Sequence, residues 1–471
     1  MTGAAAVRYD LVIIGSGPAA IAALDGMSGP LRIAIVTGET LPADRRTWLH
    51  PKVRAVAAER GEHAGVADLL GGGKQGSKSL WATAAIGGLA NYWGQQFVAV
   101  DAGDAWPADT FRSHADYLTE VDAIESLFRV GGGEALDGIL PRPGYRLALP
   151  RLLTGSTDVP AAGLSAMREV FATAAGKFSS DIVAGRAHSI APDRDGWMVR
   201  LISGGAIAAK RVLLAAGVIG NAQLLLRSFT DLEAASFADH APWMLYASGL
   251  RPLLRSRPDF APNHFNALTI EQHDGATCTS FASLYDMSLA DLNLLSAAIV
   301  GRCFSVLRGR VAPRAASLVT PIQLWTRRSI VRIEIASMGT GIVARSGGAM
   351  RSGRDPALAD MTALLRAVGG RVLRTSLTAP GLGFHYHDLQ VRPRGGAWRG
   401  IADFLEDRTG PGVICVDGAV LDAVGCCPPT LTAMAKARRL AARLCDGGAD
   451  ILRSEPEQTK RPPDRTAGRT G

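Results

Sequence analysis

The chain has 471 residues, of which 47% are hydrophobic, enough for one large core or two domains. Its formal net charge of +8 would suit an anionic partner. The sequence nevertheless has no zinc-finger spacing, no aromatic RNA-binding signature and no basic stripe interleaved with aromatic residues, so we expect no nucleic-acid partner.

The cysteines fit neither a zinc-binding spacing nor a disulfide framework, so we expect free thiols, a reducing cytoplasmic location and no bound metal. They are Cys278, Cys303, Cys415, Cys426, Cys427 and Cys445. The N-terminal segment has no signal-peptide pattern, and no apolar run of about 18 residues predicts a membrane-spanning helix.

The first elements in chain order predict a βαβ unit. An apolar strand from Asp10 to Ile14 is followed by a helix from about Pro18 to Met27 and a second apolar strand from Leu31 to Val36. Short apolar runs that alternate with helical patterns are typical of a buried parallel sheet.

Further elements extend this unit. The glycine- and serine-rich residues 66–94 predict a loop with a short helix, and residues 162–176 predict a helix. The later strands and helices are Asp181 to Val183, Trp197 to Ile202, Val212 to Ala215, the helix Asn221 to Ser228, the strand Val413 to Val416 and the helix Thr430 to Leu444.

The rhythm is lost between residues 246 and 380, where aromatic residues, arginines and apolar runs mix. We therefore predict an α/β protein in which residues 1–245 and 381–452 form one Rossmann-like domain. Residues 246–380 form an inserted α+β substrate domain, and the polar segment 453–471 is a disordered tail.

The turn after the first strand fits a dinucleotide. It reads Gly15, Ser16, Gly17, Pro18, Ala19 and Ala20, a G-x-G-x-x-A pattern. Gly15 permits the tight turn, Gly17 lets a pyrophosphate approach the backbone, and Ala20 lets the helix pack on the sheet. Backbone N–H groups at the helix start then face the phosphates.

The second strand departs from the usual pattern at its end. An acidic residue about 20 residues after the turn normally holds the ribose hydroxyls. Thr37 stands there instead, so either its hydroxyl makes a weaker contact or Glu39 reaches back.

Several motifs together resemble the glucose–methanol–choline (GMC) family of FAD oxidoreductases, and they cover nearly the whole chain except 246–380. They are the Gly15–Ala20 turn, Gly87–Gly94, Trp106–Pro107, Ala215–Gly220 with Leu224–Ser228, Asp239–His240, Gly383–Tyr386, Val416–Gly418 and Pro429–Ala435. The resemblance implies an FAD domain of the glutathione-reductase type interrupted by a substrate domain, FAD rather than NAD, and oxidation of an alcohol carbon.

The resemblance also implies which further residues lie along the FAD; for Val183 a plain core valine is the alternative. They are Gly88, Asn91, Trp93, Val183, Ala216, Gly217, Asp417, Gly418 and Thr430.

The chemistry that the resemblance implies needs a base for the hydroxyl proton, and histidine suits that task because its pKa lies near neutrality. His385 stands at the position of the family's catalytic histidine. His387 lies two residues on, so in extended backbone both rings would point to one face. The alternative is that one or both are core histidines with satisfied hydrogen bonds.

Pro428 marks a departure from the family. It occupies the place of the second catalytic residue, an asparagine or histidine, and proline offers neither a base nor a donor. Either His387 substitutes, or the substrate supplies the missing contact, or the redox chemistry is altered or lost.

The leading hypothesis is therefore an FAD-dependent dehydrogenase or oxidase acting on a hydroxyl of a sugar-like or secondary-metabolite substrate, with an electron acceptor that the sequence does not name. The rival is a flavin-bound protein without redox activity, either lyase-like or a binding or scaffold subunit. A flavin enzyme using NAD(P)H is disfavoured because only one such dinucleotide turn is evident. The arginine-studded stretch 290–328 predicts either contact with an anionic membrane or lipid-linked substrate, or solvated substrate-domain helices.

Overall fold

The computed structural model describes residues 8–38, 67–68, 81–82, 86–92, 96–153, 163–255, 266–286, 318–327, 330–338, 341–347, 355–377 and 385–445. The α-helices are α1 (Pro18–Gly26), α2 (His114–Phe128), α3 (Gly163–Ala175), α4 (Gly217–Ser228), α5 (Arg251–Arg255), α6 (Pro356–Ala367), α7 (Ile401–Thr409) and α8 (Thr430–Cys445). Short 3₁₀ helices span Gly88–Tyr92, Gly410–Gly412 and Gly418–Val420.

The strands form three larger sheets and two short pairs. They are β1 (Arg8–Ile14), β2 (Arg32–Thr37), β3 (Ala67–Asp68), β4 (Trp81–Ala82), β5 (Val130–Gly131), β6 (Tyr145–Ala148), β7 (Leu152–Leu153), β8 (Ser179–Ala184), β9 (Ala187–Asp193), β10 (Gly196–Leu201), β11 (Ala206–Leu214), β12 (Leu232–His240), β13 (Trp243–Ser248), β14 (Asn266–Asp274), β15 (Thr277–Tyr285), β16 (Val319–Thr326), β17 (Ile330–Met338), β18 (Gly341–Gly347), β19 (Arg371–Leu377), β20 (Tyr386–Pro393), β21 (Arg399–Gly400) and β22 (Val413–Cys415).

The first sheet has seven strands and a parallel centre. Its order is β8-β2-β1-β11-β10-β9, and β22 also pairs with β11. The pairs β8–β2, β2–β1, β1–β11 and β11–β22 are parallel, whereas β10 pairs antiparallel with both β9 and β11. The predicted βαβ unit is thus present, and its strands are buried because helices cover the parallel part of the sheet.

The C-terminal helix α8 packs on α1, so the chain returns to the first sheet as the sequence predicted. The approach is close at Gly26, where a Cβ atom would lie 2.2 Å from the backbone oxygen of Arg438. A buried side of α1, from Ala19 to Leu24, packs into the same core as Leu431 and Met434. This contact holds β22 and α8 beside the glycine-rich turn.

The two other large sheets are antiparallel and lack the βαβ pattern. The five-stranded sheet has the order β18-β17-β12-β20-β21, and the six-stranded sheet has the order β19-β13-β16-β15-β14-β6. Strands β6 and β12 come from the segment 1–245 yet pair with strands of these sheets. The proposed domain boundaries stay a prediction, and residues 453–471 lie outside the described residues.

Among the helices described above, none combines the length and the apolar character needed to cross a bilayer.

Candidate active site

The glycine-rich turn is shaped by two different glycine requirements. Gly15 has a φ of +114°, and a Cβ atom there would lie 2.2 Å from the backbone oxygen of Ala215, so only glycine fits. At Gly17 a Cβ atom would meet only the Gly87 oxygen, at 3.9 Å. Gly15 therefore serves the fold, whereas a Cβ atom at Gly17 would fit among the described residues.

A second loop covers this turn. The Gly87 N–H donates to the backbone oxygen of Ser16 at 3.1 Å, and a Cβ atom at Gly88 would lie 3.5 Å from the Gly17 Cα. The 3₁₀ helix Gly88–Tyr92 carries Asn91, whose backbone alone is described, and Trp93 lies outside the described residues. The structure thus brings the two glycine motifs together.

Helix α1 begins at this turn with its first N–H groups available. Gly17 is the N-cap residue and has no side chain that could cap the helix, and Pro18 stands in the first turn. Ala19 and Ala20 are buried, and the helix packs on the first sheet through them. Uncapped N–H groups at a helix start are suited to bind a phosphate.

Thr37 is committed to a contact inside the protein. Its Oγ1 lies 2.5 Å from the Ser16 Oγ, and both side chains are buried. This bond joins the end of β2 to the glycine-rich turn. The neighbouring strand places Val183, which is half-buried, opposite Val36 and beside Thr37. Glu39 lies outside the described residues.

Asp417 contacts the start of a second helix that begins with glycine, α4. Its carboxylate accepts hydrogen bonds from the N–H of Gly217 at 2.7 Å, the Nδ2 of Asn221 at 2.8 Å and the N–H of Ala419 at 2.9 Å. Gly217 has a φ of +73° and follows Ala216, the N-cap of α4. Burial raises the pKa of Asp417 to about 6 despite these three donors. Asp417 therefore fixes α4 to the segment after β22.

Gly418 brings the segment after β22 against the histidines. A Cβ atom there would lie 2.8 Å from the backbone oxygen of Tyr386, the residue after His385. The close approach sets the start of β20 directly against the 3₁₀ helix Gly418–Val420. Thr430, half-buried, is the first residue of α8 and lies farther along the same segment.

His385 is half-buried and packs edge-on against Trp325, with ring centroids 5.4 Å apart. Desolvation by burial, and after it the neighbouring His240 and His387, lower the pKa of His385 to about 3. The imidazole is therefore neutral at physiological pH, which is the form that can accept a proton.

His387 is almost fully buried, with 2% of its surface exposed. Its Nδ1 lies 3.1 Å from the backbone oxygen of His385 and must donate there, because a carbonyl oxygen only accepts. The next residue, Asp388, has a φ of +49°, and the pairing with β12 shifts register at this point. The irregular strand turns His387 inward against the His385 backbone.

His240 is a further histidine of this group, and no sequence motif assigned it a chemical role. It is fully buried, its Nε2 donates to the backbone oxygen of Thr326 at 2.9 Å, and its Nδ1 has no partner among the described residues. Burial lowers the pKa of His240 to about 4. Its backbone N–H donates to the His385 oxygen at 3.3 Å. Only the pairing of β12 with the start of β20 reveals this proximity.

Pro428 is buried in the loop before α8, so the structure supplies no base or donor from that position. Of the stretch 290–328, the structure describes residues 318–327, which include β16 and Arg327. The other arginines of that stretch lie outside the described residues.

Comparison with known proteins identifies the fold. The solved structure of pyridoxine 4-oxidase from Mesorbium loti superimposes with a TM-score of 0.55 at 12% sequence identity, covering 94% of this chain and 100% of the oxidase chain. No protein-family model matches the sequence, and no curated protein matches it either. The chain thus has the mixed α/β fold of the GMC oxidoreductases, with parallel and antiparallel sheets, as its motifs predicted.

Proposed function

We propose that this protein is an FAD-dependent oxidoreductase of the GMC type that oxidises a hydroxyl group of a small molecule. The observation that carries the proposal is the contact of Gly418 with the Tyr386 backbone, which sets His385 beside the segment that also holds Asp417. A proton acceptor and a dinucleotide site are thereby adjacent. The fold shared with pyridoxine 4-oxidase supports the same class of chemistry.

The residues present fit FAD. The absence of a side chain at Gly17 and the start of α1 without a side-chain cap from that residue are suited to the pyrophosphate, and Thr37 and Val183 lie where the adenosine half would extend. Gly217 opens the second helix start, close to Gly418. When bound, FAD would supply the acceptor for the hydride of the alcohol carbon.

The proposed role of His385 is to accept the hydroxyl proton. Its ring is neutral and can accept a proton, although the lowered pKa makes it a weaker base than a solvated histidine, and Trp325 limits how far the ring can turn. His387 holds the His385 backbone through its Nδ1–H and is proposed as a positioning residue. The substrate class remains that expected from the sequence, a sugar-like or secondary-metabolite alcohol bound by residues within 246–380.

Anaerobic mixing of the purified protein with a panel of alcohols tests the proposal. The panel should contain sugars, aromatic alcohols and pyridoxine, since the oxidase of similar fold is named for that substrate. Bleaching of the flavin absorbance by one member is the expected result. A protein that stays colourless with excess FAD would overturn it, whereas a persistent yellow colour with every alcohol would favour a flavin kept as a structural part, the rival that Pro428 motivates.

Contact with an anionic membrane or a lipid-linked substrate through residues 290–328 is a separate part of the proposal. Flotation with anionic liposomes should weaken when the arginines of this stretch are changed to glutamate. Unchanged flotation would remove this idea without affecting the oxidoreductase proposal.

A further inference from the structure

Three buried cysteines pack in one cluster with Trp325 and have no role in the site described above. Cys278 lies in β15, whereas Cys426 and Cys427 lie in the loop before α8. Their Sγ atoms all lie within 4.8 Å of one another. They form one apolar cluster with Val98, Phe281 and Trp325. The sequence could not show this grouping, because Cys278 and Cys426 are 148 residues apart.

The closest pair in this cluster is Cys278 and Cys426. Their Sγ atoms are 3.0 Å apart, and the Cys426 Sγ also lies 3.2 Å from the backbone oxygen of Cys278. A disulfide bond of about 2.05 Å needs the two sulfurs to approach by roughly 1 Å more.

A metal fits this arrangement less well. Thiolates bound to zinc at about 2.3 Å in a tetrahedral site lie roughly 3.8 Å apart, so the closest pair would have to separate. A metal would also place several thiolate charges against the apolar side chains of Phe281 and Trp325. A disulfide is neutral and avoids this cost.

We propose that Cys278 and Cys426 form a reversible disulfide, with Cys426 as the sulfur that a hydroperoxide oxidises first. The Cys426 thiolate attacks one peroxide oxygen, the O–O bond breaks, and the other oxygen leaves as water or an alcohol after taking up a proton. The resulting sulfenic acid is attacked by Cys278, the S–S bond forms, and the sulfenic oxygen leaves as water with the proton of Cys278. Two electrons thus pass from the two thiols to the peroxide.

The surroundings favour Cys426 as the nucleophile. Contacts with the Cys278 thiol and then the Cys427 thiol lower the pKa of Cys426 to about 5, and the contact with Cys426 raises the pKa of Cys278. The nearby charges are Asp104 and Arg327, which form an ion pair at 2.7 Å. The Arg327 side chain is 49% exposed, whereas the Asp104 side chain is 1% exposed and Cys426 is fully buried, so of these groups only Arg327 is open to solvent.

The proposed bond would join β15 of the six-stranded sheet to the loop that precedes α8. Trp325 lies between this bond and His385, so oxidation would act on the wall of the candidate site. This proposal is independent of the oxidoreductase function, because formation of the disulfide can be measured on the cysteines themselves.

Peptide mass spectrometry of the full chain tests the proposal. Reduced protein is freed of reductant, treated with a small excess of hydrogen peroxide, alkylated and digested. The expected product is a linked peptide pair containing Cys278 and Cys426, which dithiothreitol separates again. Three results with the wild-type protein would overturn the proposal without any variant. They are a Cys426–Cys427 link, oxidation to sulfonic acid without a link, or unmodified thiols.

Variants locate the reactive sulfur. Cys426→Ser should abolish peroxide consumption by the cluster, whereas Cys278→Ser should leave a sulfenic acid on Cys426 that a dimedone probe traps. Cys415→Ser is the matched control, since that thiol is also buried but lies beside Asp417, and it should form the link like the wild type. A metal that co-purifies in stoichiometric amount and is lost in Cys426→Ser would replace the disulfide by a thiolate metal site.

Discussion

His385 and Trp325 meet edge to face, with their rings inclined at 84°. Trp325 is 2% exposed, and its indole Nε1 has no hydrogen-bond partner among the described residues. An aromatic edge contact of this kind restrains an imidazole without using either of its nitrogens. The ring of His385 is therefore oriented by packing, which leaves its nitrogens for a substrate.

His385→Ala should slow flavin reduction by about two to four orders of magnitude, the usual contribution of a general base. Single-turnover reduction of the FAD-loaded protein by its alcohol, followed anaerobically, measures this rate. The FAD content and the melting temperature should stay close to those of the wild type, because the ring is only half-buried.

His188→Ala is the control for that substitution, since His188 is exposed and lies on β9, an edge strand of the first sheet. Equal reduction rates in the wild type and His385→Ala would remove the proposed role of His385.

The rate of flavin reduction should not fall near pH 6.5, where an ordinary histidine gains a proton. Burial lowers the pKa of His385 to about 3 from the ordinary value of 6.5. The active base is the neutral form, so activity is lost only when the pH falls through this lowered pKa. The rate should therefore be flat from about pH 5 to about pH 8. Stopped-flow reduction across this range checks it, and a break near pH 6.5 would mean that His385 titrates as an ordinary solvated histidine.

The glycine-rich turn could be predicted because its pattern lies within a few consecutive residues. Gly15 and Gly17 lie between an apolar strand and a helix, and this local pattern predicts the turn, although the backbone oxygen that excludes a Cβ atom at Gly15 belongs to the distant Ala215. The contacts around His385 could not be predicted. Trp325 and His240 reach it through strand pairing between distant segments, and the positive φ of Asp388 has no sequence signal of its own. The same holds for Cys278 and Cys426.

Asp417→Ala should destabilise the protein more than a typical surface substitution does. The change leaves the N–H groups of Gly217 and Ala419 and the amide of Asn221 without their acceptor, at a cost of about 3 kcal/mol in the free energy of unfolding. Because Gly217 begins α4, FAD affinity should fall as well. Asp417→Asn keeps one acceptor oxygen and should cost less, about 1 kcal/mol.

Chemical denaturation of the three proteins measures these differences, with Asp274→Ala as an exposed control. A loss for Asp417→Ala no larger than that of Asp274→Ala would show that this carboxylate does not hold the start of α4.

Gly15→Ala and Gly17→Ala form a matched pair that separates folding from cofactor binding. At Gly15 the new Cβ would lie 2.2 Å from a backbone oxygen at a φ of +114°, so the free energy of unfolding should drop by about 3 kcal/mol or more. At Gly17 the nearest atom would be 3.9 Å away, so the protein without FAD should melt as the wild type does.

The methyl group added in Gly17→Ala would occupy space proposed for the pyrophosphate, and FAD affinity should fall by about tenfold or more, roughly 1.4 kcal/mol. Melting curves without FAD and fluorescence titration with FAD measure the two effects. Wild-type FAD affinity in Gly17→Ala would show that the diphosphate does not lie over this turn.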